Sequence, residues 1–211
     1  MKRTFALVLS LAFLPSLASA EVSAWTLDPA HTDTSFEVKH LVISTVRGHL
    51  GPTTGKITID SDDITRSSVQ ASVDASKIDT RSSGRDADLR SPSFFDVARY
   101  PTMTFRSTKV RKVADDRLDV TGDLTVKDIT RPVTFDVKIS QPVRGSAGEL
   151  RRGFSATTRI NRKEFGLRYD KVVEAGPVVG DEVTIIVEVE AVRDAPRQET
   201  TSPASARAPR G

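Results

Sequence analysis

Apolar and polar residues alternate with a period of two along most of the chain, the pattern of strands with one face toward a core and the other toward water. In "RLDVTGDLTVK" Leu118, Val120, Leu124 and Val126 share a face, with Gly122 between them. "PVTFDVKIS" places Val133, Phe135, Val137 and Ile139 in the same way, and "SVQASVDA" places Val69, Ala71, Val73 and Ala75. "EVTIIVEVEAV" alternates Val183, Ile185, Val187 and Val189 with mostly polar residues, Ile186 being the exception. Further strands are predicted over 25–28, 34–40, 56–60, 102–107 and 154–161, split by turns such as "KDITRP", "SAGEL" and "VRGHLGP". About eight or nine strands and at most one or two short helices make an all-β, antiparallel plan. A sheet of this size closes into a barrel or folds into a sandwich, which removes its exposed edges.

One stretch resists the pattern. "GRDADLRSPSFFDVARYPTMTF" (84–105) sets Phe94, Phe95 and Tyr100 among charged residues. Asp86 and Arg90 lie four apart and Leu89 five before Phe94, a weak helical spacing, and Ser91 is placed to cap a second short turn beginning at Pro92. The segment cannot bury its own phenylalanines, so they must insert into something else, and the open end of a barrel would receive them.

The two ends read differently from the middle. "MKRTFALVLSLAFLPSLASA" has a basic start, an apolar run from Phe5 to Leu14 and Ala18-Ser19-Ala20 before Glu21. That is the layout of a secretory signal peptide over 1–20, cleaved after Ala20, and its apolar run is too short to span a bilayer. No later run is long enough to form an integral membrane segment. Residues 193–211, rich in Pro, Ala, Ser and Thr without apolar period, read as a disordered tail, which leaves 21–192 as one domain. There is no cysteine, so disulfides, thiol chemistry and Cys-ligated zinc are excluded and the core alone must hold an exported fold. The sequence pI of about 9.3 overstates the charge of the body. Residues 21–192 carry 25 Lys and Arg against 26 Asp and Glu, a poor balance for binding nucleic acid.

Candidate chemistry is sparse. His31, His40 and His49 are the only histidines, nine and nine apart. One reading is a zinc or copper site; the other is that His31 caps a turn, His49 is solvated and His40 is partly buried. His40 shares parity with Phe36 and Val38, so if that face lines an interior, His40 brings one polar group into it. There is no GxSxG, no HExxH and no glycine-rich phosphate loop, and the acid pairs Asp62/Asp63 and Asp115/Asp116 lie in turns. "INRKEFGLRYDK" gathers Arg162, Lys163, Arg168 and Lys171 around Phe165 and Tyr169, either to meet an anionic head group or as a solvated hairpin end.

Several motifs in order carry a family resemblance. "WTLDPAHTDTSFEVKHLVISTVRG", "GKITID", "SKIDTRSSGRDADLRSPSFFDVARYPTMTFRST", "TGDLTVKDITRPVTFDV", "TTRINRKEFGL" and "VVGDEVTIIVEVEA" together span about Trp25 to Val192. The chain resembles the YceI-like proteins, periplasmic lipid- or polyisoprenoid-binding proteins of bacteria. The Arg85-Asp86 to Tyr100-Pro101 segment is the most specific of these motifs. The chain departs from the pattern at Val42 (often Gly), Leu50 (usually Phe), Asp88 (commonly His) and Asp128 (often Gly). Leu50 bears on pocket volume, while Asp tolerates the left-handed backbone that the turn at 128 would need.

The resemblance implies an extended, lipocalin-like antiparallel barrel around a long apolar tunnel. It also implies an amphiphilic lipid as partner, a bound isoprenoid or other long-chain lipid in place of any cofactor, and a non-enzymatic carrier or store. A homodimer is compatible with it. Phe94, Phe95 and Tyr100 would line or plug the tunnel, with Phe36, Val38, Met103, Phe105, Phe135 and Phe165. His40, Asn161 and Arg162 are the expected polar contacts at one end. Two other functions remain open on the residues: an enzyme acting on an isoprenoid or quinone precursor beside His40, and a metal-binding stress protein using the three histidines.

Overall fold

The structure, a computed structural model, describes residues 21–169, 172–173 and 176–195. The predicted signal peptide and residues 196–211 of the predicted tail lie outside the described residues. The chain opens with β1 (Val22–Leu27), β2 (Asp33–His40), β3 (Ser44–His49), β4 (Thr53–Asp60) and β5 (Ser68–Asp74). Helix α1 (Ser83–Arg90) precedes the long strands β6 (Thr102–Ala114), β7 (Arg117–Val126) and β8 (Ile129–Ile139). After the short β9 (Val143–Arg144) come β10 (Leu150–Asn161), the two-residue pair β11 (Val172–Val173) and β12 (Gly176–Pro177), and β13 (Val179–Arg193).

Eight strands form a closed antiparallel barrel in the order β1, β4, β5, β6, β7, β8, β10 and β13, with β13 returning to β1. Closure works because β13 is long enough to serve three neighbours. One edge follows β10 from Glu182 to Val192. The other edge pairs with β2 up to Glu188 and with β1 from Ala191 to Arg193. Where β13 changes partner, the β2–β3 hairpin takes the place of β1 beside it and extends the wall. The strand continues through Arg193, and Asp194 accepts from Thr26 and Lys56, so the folded body reaches past residue 192.

The hairpins follow the sequence pattern. In β7 every second residue from Leu118 to Val126 is buried, Gly122 included. Val126 faces Ile129, which leaves Lys127 and Asp128 as a two-residue turn. The left-handed residue there is Lys127 (φ +57°), not Asp128 as expected, because the register places it first in the turn. Gly48 and His49, expected in a turn, instead end β3 opposite Phe36 and Ser35.

The segment of mixed character lies between β5 and β6. Its charges are spent on the main chain. Asp86, buried, accepts from Thr80 N (2.8 Å) and Thr80 Oγ1 (2.5 Å), and Arg85 donates to Thr80 Oγ1 and Thr80 O (both 2.7 Å). Arg90 donates to Ser76 O (3.0 Å) and Ile78 O (2.5 Å). Ser91 does stop one turn and start another, its carbonyl accepting from Phe94 and Asp96 and its hydroxyl from Ser93. A mutual main-chain pair between His49 and Asp79 fastens this segment to the end of β3.

The tip of the β2–β3 hairpin is less comfortable. Leu41 and Val42 both have positive φ (50° and 63°), and Val42 is exposed. A β-branched residue in the left-handed region costs about 1–2 kcal/mol, and Val42 stands where glycine would be free of that cost. Val42→Gly is therefore expected to raise stability by about 0.5–1 kcal/mol after the greater backbone entropy of glycine in the unfolded chain is counted. Urea denaturation reads this directly; a decrease in stability would show that the tip is not strained.

Candidate functional site: an apolar cavity inside the barrel

The inward residues do not fill the barrel. A cavity of about 260 Å³ runs between three clusters of buried side chains, and the surface facing it is apolar throughout. One cluster is centred on Phe165, Leu124 and Val126, a second on Phe135, Val120 and Val137, and a third on Trp25 and Ile59. An apolar cavity of about 150 Å³ already stays dry and takes up benzene, so this one is large enough to hold hydrocarbon.

Of the residues singled out from sequence, Phe36, Val38, Phe94, Phe95, Met103 and Phe105 line the cavity, as do Phe135 and Arg162. Phe105 and Phe135 meet edge to face, with centroids 5.1 Å apart. Phe94 stacks on Tyr169 at 5.7 Å. Leu89 joins Phe94 and Phe95 in the wall, so the segment from α1 to β6 turns an apolar side to the cavity and fastens itself by its charges. Leu50, one of the departures from the family pattern, is also part of the wall.

Four residues stand elsewhere. Phe165 is wholly buried but packs in the cluster behind the wall. Tyr100 lies outside the cavity, its hydroxyl 3.4 Å from Asp128 Oδ2 and the Arg99 guanidinium 5.1 Å from its ring centre. His40 is absent from the wall although Phe36 and Val38 belong to it. The irregular residues of the β2–β13 ladder are in β13, between Val179 and Val183, while β2 stays in register with β3 through His40, so His40 keeps its parity and stands at the last residue of the strand, past the wall. Asn161 is exposed and caps the short 3-10 turn Arg162–Phe165, accepting from Lys163 N.

Arg162 reaches the wall in a different role from the one expected. Its side chain is buried, yet the guanidinium makes no polar surface for a ligand. It donates to the carbonyls of Gly180 (2.9 Å), Leu167 (2.6 Å), Tyr169 (3.2 Å) and Val179 (3.2 Å), and pairs with Asp181 (3.0 Å). It therefore ties the loop after β10 to the start of β13. Sequence reasoning missed Thr34 and Thr53, which are buried in the wall with their hydroxyls 2.7 Å apart. Each satisfies the other, and strand alternation alone could have placed them inward.

The family comparison agrees with this geometry. Residues 25–191 match the model of the YceI-like domain. The chain belongs to the YceI-like family. Protein YceI of Escherichia coli O17:K52:H18 is 34% identical over 84% of this chain and 91% of its own. A UPF0312 protein of Pectobacterium carotovorum is 32% identical over 92% and 98%. Among solved structures, Burkholderia cenocepacia BcnA superposes with a TM-score of 0.69 over 78% of this chain and 98% of its own, at 22% identity. A polyisoprenoid-binding domain from Saccharophagus degradans gives 0.61 over 83% and 100%, at 13% identity. At those identities the likeness is one of fold. The YceI-like barrel is thus shared, and the cavity lies within it.

The histidines do not gather. His31 Nδ1 lies 2.9 Å from Asp28 Oδ2 and His49 Nδ1 lies 2.8 Å from Asp33 Oδ1, both near the surface. Among the described residues, the group with metal-ligand spacing is Asp28, His31 and Glu190. Arg151 already bridges its two carboxylates and Glu149. Hydrogen bonds from His31, Arg151 and Ala30 N hold the Asp28 carboxyl at about 2. A depressed carboxyl favours the fold above the ordinary carboxylate range, and that contribution is lost as pH falls through about 2. An NMR titration should place the Asp28 midpoint near 2, moving toward 4 in Arg151→Met; an unperturbed midpoint in the native chain would mean the cluster does not form.

Proposed function

We propose that this chain binds the hydrocarbon part of a long-chain amphiphile, of polyisoprenoid or fatty-acyl type, in the barrel cavity and carries or stores it in the periplasm. The observation that supports it most is a cavity wall without a polar atom facing inward, in a fold shared with a polyisoprenoid-binding domain. Transfer of each CH₂ from water into such a space is worth about 0.8 kcal/mol. Relative to a bilayer that gain nearly cancels, since lipid is equally apolar, so selection falls to the size and shape of the cavity and the ligand's head group stays outside it.

Carriage without chemistry is the better reading of the site. His40, which would have served an enzyme, is not in the wall, and the one ionised side chain that is among the described residues, Arg162, has its guanidinium engaged by main-chain carbonyls and Asp181. Export rests on the form of residues 1–20.

The test is solvent extraction and mass spectrometry of protein purified from its exported form. A stoichiometric long-chain species is the expected result. Saturating the protein with that species should raise its unfolding temperature by roughly 5–10 °C, since a ligand at 100 times its Kd adds about 2.7 kcal/mol. No co-purified chain, together with no shift on adding prenyl or acyl lipids, would refute the proposal.

A further inference from the structure

We infer that Gly48 and Gly122 set the calibre of the cavity, by letting the Phe36 and Phe105 rings lie along the wall instead of across the lumen. The inference rests on the lipid-binding reading and specifies which residues decide the shape of the chain admitted.

Neither glycine is required by its backbone. Among the described glycines only Gly148 and Gly166 have positive φ. What distinguishes Gly48 and Gly122 is what stands where their side chains would be. A Cβ on Gly48 would lie 2.6 Å from Phe36 Cε1 and Cζ and 2.8 Å from Thr80 Cγ2. A Cβ on Gly122 would lie 2.6 Å from Phe105 Cζ and 2.4 Å from Arg106 O. Real Cβ contacts are essentially never under 3.0 Å, so both rings occupy space that any other residue would fill. The pairing explains how they reach it. Phe36 is directly opposite Gly48 across β2 and β3, and Phe105 is diagonal to Gly122, which sits opposite Ser107.

Both rings line the cavity, at different levels. Phe36 lies in the part walled by the β2–β3 hairpin. Phe105 packs against two of the three core clusters, at their junction. A methyl group on Gly48 would push the Phe36 ring away from β3, and the lumen is the side not occupied by strand or by Thr80. Narrowing of this kind acts on cross-section rather than on depth. A methyl-branched prenyl chain is broader than a straight acyl chain, so the branched chain meets the obstruction first.

Gly48→Ala is the cleaner probe, because the three atoms nearest its Cβ all belong to side chains, whereas Gly122→Ala would also strike main chain. Binding of geranylgeraniol and of palmitic acid, each measured by displacement of a fluorescent apolar probe, reads the cross-section. Gly48→Ala is expected to weaken geranylgeraniol at least tenfold more than palmitic acid. Adding Phe36→Leu in the same chain should restore the native ratio, and Phe36→Leu alone should shift it toward geranylgeraniol. If folded Gly48→Ala keeps the native ratio, or if Phe36→Leu neither rescues it nor shifts the ratio alone, the calibre role is wrong. If the native protein takes up neither probe, the lipid-binding reading itself falls, which is a different result from an unchanged ratio.

Discussion

Arg162→Met is expected to destabilise the protein by about 3–5 kcal/mol, although methionine matches much of the volume. The reason is the number of groups that depend on one guanidinium. Four main-chain carbonyls, from Leu167, Tyr169, Val179 and Gly180, and the Asp181 carboxylate all accept from it. Each buried acceptor left without a donor costs about 1–3 kcal/mol, reduced where water can reach it. Arg162→Lys should recover little, because a single ammonium cannot span acceptors on both sides of the loop. Urea denaturation gives the number, and a change below about 1 kcal/mol for either variant would show that the loop after β10 holds itself. Since Leu167 and Val179 also line the cavity, retention of a bound chain should fall along with stability.

The double variant Phe94→Ala/Phe95→Ala carries the second large effect, and it separates two roles of the segment between α1 and β6. Both rings line the cavity and are half-buried; Phe95 also packs against the Phe165 cluster, while Phe94 stacks on Tyr169. Full burial of Phe makes truncation cost about 3–5 kcal/mol each, and half of that for each of two half-buried rings gives roughly 3–5 kcal/mol for the pair. The hydrogen bonds of Arg85, Asp86 and Arg90 do not involve the rings, so the helix itself should survive, with its far-UV circular dichroism unchanged. Chain retention on extraction should drop at least tenfold, because the wall is opened to water on that side. Unchanged retention and unchanged stability together would mean that this segment is a lid of no consequence to the cavity.

Much of this could be read along the chain. Strand alternation placed the inward faces of β7, β8 and β13 correctly, because in a regular ladder the side-chain period is two and nothing local can change it. The need for Phe94 and Phe95 to insert elsewhere was also legible, since a short polar segment has no core of its own. The errors fall at or next to strand ends. Extending the parity of Phe36 and Val38 puts His40 inward, and β2 keeps that parity, but it ends at His40, which stands past the cavity wall. Being polar and near an apolar site, Arg162 and Asn161 read as head-group contacts. The fold uses one as a strut across a loop and the other as a cap, which depends on carbonyls brought near from residues 167–181.

What the sequence determined by itself, then, is the period of the strands, the number that must pair, and the surplus of inward apolar side chains over what single hairpins can bury. Whether that surplus would pack solid or leave a cavity was decided only in three dimensions. Two inward positions are glycines, and the rings of Phe36 and Phe105 recline onto them from neighbouring strands. Closure by a single strand shared among β1, β2 and β10, with α1 and its following turns over the remaining gap, sets the space they enclose. A linear pattern records which way each side chain points; how much room is left between opposite walls depends on register and closure, which are properties of the whole sheet.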